Sequence, residues 1–319
     1  MGVLYHYANN LKGFNILAEK SIRLSDIRKS NDYEELVLFY PDLFDSILRI
    51  YRDKPFEFRF ENEKGLEAIN ALLFISKKML DRELSYGEFS NFVLCLSEEP
   101  DLLSQWRGYA DDGQGISIGF SKRKLQKFCD KQKESLRLEK VTYITEEERG
   151  ELVNKLANAV IEELKTLREW IVDNMTHDDA SRDTDSLLAF NFDGIVRKIM
   201  TDSLMYKQIG FAEEKEWRLF LREQSYKTPR LVLGEEKNFY GPNGFLETIS
   251  FLRNRIQFRV TNNNLSPYIP VDFSEFGENG VKEIWIGPKN DAKKGDIELF
   301  LASHGLDNID IYFSETSYR

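Results

Sequence analysis

Short β-prone runs stand at both ends of this chain and long helical periodicities lie between them. Val3 to Tyr7 is short and aromatic, Leu11, Phe14, Leu17 and Ala18 recur at helical spacing, and Ile22 to Ser25 returns to a strand pattern. The opening therefore predicts strand, helix, strand. Pro41 suits the first turn of a helix with Phe44, Ile47, Leu48 and Tyr51 on its apolar face, and Leu66, Ile69, Leu73 and Leu80 mark a second. Asn91 to Ser97 reads as a strand, Asp101 to Ala110 as a short helix after Pro100, and Asp111 to Gly115 as a turn. Ile116, Ile118 and Phe120 alternate as in a half-buried strand, and Ser121 is placed to cap a helix bearing Leu125 and Phe128.

A long amphipathic helix is expected over 147–174, a polar loop over 176–185, and another helix over about 187–207. The texture then turns β-rich at 216–222, 229–234, 249–260, 268–273, 281–287 and 308–315, with one late helix near Ile297 to Ser303. A domain boundary within 176–185 would separate these strands from the N-terminal ones; alternatively they complete the sheet begun there. We take the second course: an α+β protein with one domain, 1–319, and helical insertions at about 40–88 and 146–207.

Charge and cysteine usage narrow the classes. With 44 basic and 54 acidic residues the net charge is −10, which disfavours a general nucleic-acid coat while leaving room for a local basic groove. Cys95 and Cys129 are far apart and beside apolar neighbours, so free thiols in a reducing compartment are expected. The first residues lack the regions of a secretory signal, no apolar run reaches the ~20 residues of a membrane span, and His6 stands where a myristoylation site wants Ser or Thr. The expected location is the cytoplasm, with no membrane partner.

Chemistry is best sought at Glu213-Glu214-Lys215-Glu216-Trp217-Arg218. On a strand, Glu216, Arg218 and Arg222 share one face, while Trp217, Leu219 and Leu221 share the other. The ordinary reading of such a face is a solvated one with cross-strand ion pairs worth about 0 to 1 kcal/mol each. His6 shares a face with Leu4. Gln105 to Ala110 sets Trp106, Arg107 and Tyr109 on a short helix, where the rings either pack in the core or stack on a flat ligand. The run Gly113 to Gly119 has neither the spacing nor the following helix of a dinucleotide turn, and no P-loop or paired-histidine metal motif occurs. Glu213-Glu214-Lys215 has the Glu-x-Lys form of metal-dependent nucleases, with Asp193 or Asp202 as the upstream acid.

Leu4 to Tyr7, residues 24–35, 96–120, 213–219 and 283–289, and the ending Ser314 to Arg319 together resemble the bacterial domain-of-unknown-function family 2971, collinearly over nearly the whole chain. Thr316-Ser317 replaces the Ile-Pro usual in that family's tail. The order of parts is more distantly similar to the NAD-dependent ADP-ribosyltransferases. That likeness implies a split mixed or antiparallel sheet, NAD as substrate, and an acceptor that is protein or nucleic acid, as in a toxin or antiviral-defence effector. It implies His6 on the ribose, Tyr109 or Trp106 on nicotinamide, Glu216 as the carboxylate stabilising the ribosyl cation, and further nucleotide contacts from Ser25, Arg107 and Arg218. Glu214-x-Glu216 resembles the arginine-modifying branch, which carries Arg at the position of His6. Two other readings stand beside this one: a non-catalytic module holding a nucleotide or nucleic-acid end through Arg107, Arg218 and Arg319, and the metal-dependent nuclease.

Overall fold

The computed structural model describes residues 2–27, 38–53, 92–131, 136–174, 203–221, 256–261, 264–276 and 279–318. The opening forms as its periodicity predicts: β1 (Val3–Ala8), α1 (Asn10–Glu19) and β2 (Ser21–Asp26). The Asn9 side chain caps α1 by accepting from the Lys12 amide at 2.9 Å. There follow α2 (Tyr40–Asp53), β3 (Phe92–Ser97), α3 (Leu103–Tyr109), β4 (Ile116–Ser121), α4 (Lys122–Lys131), β5 (Leu136–Lys140), β6 (Thr142–Ile144) and α5 (Glu146–Asn174). The chain continues through β7 (Tyr206–Gln208), a 3-10 turn Ile209–Glu214, β8 (Glu216–Leu221), β9 (Gln257–Thr261), β10 (Asn264–Asp272), β11 (Val281–Ile286), α6 (Lys294–Ser303) and β12 (Asp310–Phe313).

The architecture is α+β around a mixed ten-stranded sheet, in the order β12-β11-β4-β1-β3-β2-β10-β9, with β8 on β3 and β5 on β8. Within this sheet the pairings are antiparallel except β11 with β12, and β6 and β7 form a separate parallel pair. The late strands complete the sheet that β1 begins. One face carries the main core, with Leu4, Leu17, Leu24, Ile118, Phe120, Leu219 and Ile284 fully buried, and α4 closing it through Phe128 against Phe276 at 4.9 Å. The other face carries Tyr5, Tyr7 and Trp106 under α3.

Several expectations change. β4 is buried on both faces instead of one, because Ser117 and Gly119 are small enough to admit an overlying layer: a Cβ at Gly119 would lie 2.9 Å from Glu283 and 3.0 Å from Tyr5. β5 and β6 interrupt what had no strand signal, and residues 206–208 form β7 where the helix was expected to continue. The turn after α3 forms as expected, with Asp111, Asp112 and Gly113 in succession at positive φ (52°, 52° and 89°). The second helix at 66–80, the loop at 176–185 and the strand at 229–234 lie outside the described residues.

What positions the site is a branching of the sheet at β3. One edge of β3 pairs with β8 from Val93 to Ser97. The other edge is shared: Phe92 and Val93 pair with β2, while Ser97 pairs with Tyr5 of β1. β1 and β2 thus diverge along one strand, and the middle of β3 faces the gap between them.

Candidate functional site

His6 stands at this divergence. Its Nδ1 lies 3.0 Å from the Cys95 carbonyl oxygen, which can only accept, so Nδ1 carries the proton and Nε2 is left as an acceptor. Burial, reinforced by the charges of Lys12 and Arg259, pulls its pKa down to about 4, so the ring is neutral near pH 7. The side chain fills the gap that the diverging ladder leaves.

Glu216 opens β8 opposite Ser97, and Arg218 lies opposite Cys95. Alternation puts both on one face as expected, but that face is not solvated: Glu216 is 4% and Arg218 0% exposed. Arg218 Nε donates to Glu216 Oε1 at 2.7 Å and Nη2 to Oε2 at 3.1 Å, and Nη1 donates to the Leu204 carbonyl. Lys207 Nζ, from β7, reaches Glu214 Oε2 at 2.7 Å and Glu216 Oε2 at 3.2 Å. Two carboxylates and two cations thus close on each other, which is what buried charge requires. Burial raises the Glu216 pKa, yet attraction by Arg218 and Lys207 and hydrogen bonds from Arg218 and Cys95 outweigh it and hold the group below its usual value. The backbone supports the knot: Glu216 N donates to Tyr143 Oη at 2.7 Å, and Ser97 Oγ to the Glu214 carbonyl at 2.7 Å. Lys215, at φ 45°, turns the chain between the two acids and pairs outward with Glu99.

The third wall is α3. Asp101 fixes its start by accepting from Trp106 Nε1 at 2.6 Å, and it also receives the C-terminal segment: Ser314 Oγ at 2.5 Å, the Glu315 amide at 2.9 Å and Thr316 Oγ1 at 3.1 Å. Burial raises the Asp101 pKa, but these donors together hold it below the usual carboxylate range. At the other end, Tyr318 donates to Asp112, with Lys289 Nζ over its ring at 3.8 Å. The tail is thereby strapped across the helix that carries Gln105 and Tyr109.

These three walls enclose a cavity of about 40 Å³ lined by His6, Tyr7, Cys95, Leu96, Gln105, Tyr109, Glu214 and Glu216. Of the residues singled out in the sequence, His6, Tyr109 and Glu216 meet there. Trp106 does not: it is fully buried, edge-on to Tyr7 at 4.8 Å and tied to Asp101, so it has no face to offer a ligand. Arg107 lies outside near the Tyr318 ring at 5.8 Å, Arg218 is engaged with Glu216, and Ser25 accepts from Arg259 Nη2 at 3.3 Å on β2. Lys207, Tyr143 and Gln105 are site residues that sequence reasoning missed. β6 and β7 are three residues each, too short to show a period, and Gln105 carried no charge to draw attention.

Glu213 and Lys215 are exposed and Glu214 is buried, so the Glu-x-Lys triplet does not converge; Asp193, Asp202, Arg222 and Arg319 lie outside the described residues. Among the described residues no group of three or more His, Cys, Asp or Glu can hold a metal ion, and no helix is long and apolar enough to cross a membrane.

Residues 105–219, which run from Gln105 of α3 to the middle of β8, match the family described as "Protein of unknown function (DUF2971)". No curated protein and no solved structure matches this chain.

Proposed function

We propose that this chain is an ADP-ribosyltransferase-like enzyme that uses NAD as substrate, with Glu216 stabilising the ribosyl cation, His6 accepting from a ribose hydroxyl and Tyr109 against the nicotinamide ring. The observation that carries this reading is the convergence of His6, Tyr109 and Glu216, from three separate elements, on one cavity where the sheet branches. In the reaction the bond between nicotinamide and ribose breaks with its electron pair going to the leaving group. The positive charge left on the ribose is then captured by the lone pair of an acceptor nucleophile on protein or nucleic acid, which loses its proton to water. A carboxylate aimed at that charge stabilises the transition state more than the substrate. Glu216 is held ionised, as the step requires, and the neutral His6 retains the acceptor nitrogen that a ribose hydroxyl needs.

The space of about 40 Å³ takes a few waters at most. A nicotinamide ring therefore enters only if the walls of the cavity move apart. Incubation with labelled NAD and cell lysate, analysed by mass spectrometry for released nicotinamide and transferred ADP-ribose, tests the reading. Activity in the wild type that is lost in Glu216→Gln is expected; no turnover by folded wild type, or equal turnover in the variant, removes it.

A non-catalytic nucleotide-binding module is the second reading, and one observation favours it: both oxygens of Glu216 are already engaged by Arg218 and Lys207. It predicts binding of NAD that leaves the nicotinamide bond intact.

A further inference from the structure

The β2–β10–β9 end of the sheet collects cations on one face. The register sets Ser25 opposite Tyr268, Arg23 opposite Pro270 and Arg259 opposite Ser266. Alternation places Arg23, Ser25, Tyr268, Ser266 and Arg259 on the same side, while Asp26 falls on the opposite one. Arg259 Nη2 donates to Ser25 Oγ at 3.3 Å, and the Arg23 guanidinium lies 4.9 Å from the centre of the Tyr268 ring. Arg259 Nε is buried and has no hydrogen-bond partner. Among the described residues the carboxylate that reaches this group is Glu19, 3.0 Å from Arg23 at the surface. Lys12, on α1, is coupled to both arginines through its charge. Desolvation, then the charges of Arg259 and Arg23, lower the Lys12 pKa; desolvation, then Arg23, lower that of Arg259. The charges of Lys12 and Arg259 also act on His6 and help lower its pKa.

A folded chain gains nothing by holding like charges together around a buried donor without a partner, since each repels the others and the donor has lost its water. An anion resolves both at once. Among the described residues, three cations less Glu19 leave two positive charges, which matches the about two negative charges of a diphosphate esterified at both ends.

We infer that Arg259, Arg23, Lys12 and Ser25 form a binding site for the diphosphate group of a small molecule. The site stands on its own chemistry; its use for NAD rests on the reading above. Isothermal titration with inorganic diphosphate at low salt, on wild type, Arg259→Gln, Arg23→Gln and the exposed control Lys127→Gln, tests it. Wild type and Lys127→Gln are expected to bind alike and to lose affinity as salt rises, with roughly tenfold weaker binding in either arginine variant, the loss of one charge-assisted hydrogen bond. Each variant's melting temperature without ligand is measured beside it, and Arg259→Gln should melt at or above wild type, because it relieves repulsion. If an arginine variant melts lower, the wild-type salt dependence and the rise of its melting temperature with diphosphate decide. Absence of any diphosphate binding by wild type, or equal weakening in Lys127→Gln, overturns the site. Arg259-dependent binding of a single-stranded oligonucleotide tighter than that of diphosphate overturns the small-molecule assignment in favour of a nucleic-acid backbone. Diphosphate binding that survives with no NAD turnover keeps this site and removes the enzyme reading.

Discussion

The start of β8 and the β2–β10–β9 end of the same sheet both hold charge close to the branch point, and they settle it in opposite ways. At β8, Glu214, Glu216, Lys207 and Arg218 are balanced two against two, each within 3.2 Å of an opposite charge and all buried. At the β2–β10–β9 end, among the described residues, Lys12, Arg23 and Arg259 share one surface carboxylate, Glu19, and leave a buried guanidinium nitrogen without a partner. The first cluster is complete without a ligand, and its removal should unfold the region. The second is complete only with an anion, and its removal should cost the fold little. Charge burial alone therefore does not tell which cluster calls for a ligand; charge balance does.

The largest effect expected from breaking this contrast is in Arg218→Met, which leaves Glu216 buried with Lys207 alone. Chemical denaturation should show a loss of about 3–5 kcal/mol, and a loss under about 1 kcal/mol would mean the knot contributes little beyond an exposed pair. Next comes pH. His6 has a folded pKa of about 4 against an ordinary 6.5, so the unfolded chain binds the extra proton first. Its contribution to stability is present above pH 6.5 and is lost as pH falls toward 4, with a slope of at most about 1.4 kcal/mol per pH unit. His6→Gln should flatten that part of the stability-against-pH curve; an unchanged slope would show that other groups carry it.

A smaller effect is expected at the α3 wall. Asp101→Asn keeps the shape but weakens the acceptor shared by Trp106, Ser314, Glu315 and Thr316, at a cost of about 1–2 kcal/mol. Hydrogen exchange should quicken together in residues 103–109 and 314–316; exchange that quickens in the tail alone would show that the strap does not hold the helix. The smallest effect, and the one of opposite sign, belongs to Arg259→Gln, which should be neutral or stabilising by a few tenths of a kcal/mol up to about 1 without ligand. A destabilisation comparable to that of Arg218→Met would erase the distinction between the two clusters.

Much of the frame was legible in the residues. The change of period across β1, α1 and β2, the alternation that puts Glu216 with Arg218, and the turn at Asp111–Gly115 all follow from local chemistry. The burial of Glu216 was not, because it depends on Lys207 and Tyr143 from the three-residue strands β7 and β6, which no periodicity reveals. Trp106 presented the same sequence signal as Tyr109; only the Asp101 bond and the Tyr7 ring turn one inward while the other lines the cavity. Arg23 and Arg259 read singly as ordinary charges on strands, and the register of β10 between them makes them a cluster.

The central claim is that the cavity at the branch point breaks the bond between nicotinamide and ribose. Mass spectrometry of NAD products, with wild type and Glu216→Gln compared at equal folded fraction and Tyr109→Ala as a variant outside the ionic knot, tests it most directly. The account predicts nicotinamide release by wild type, a fall of about a hundredfold or more in Glu216→Gln, and a loss in Tyr109→Ala with the melting temperature preserved. Unaltered NAD after incubation with folded wild type, or equal release by all three proteins, would contradict it.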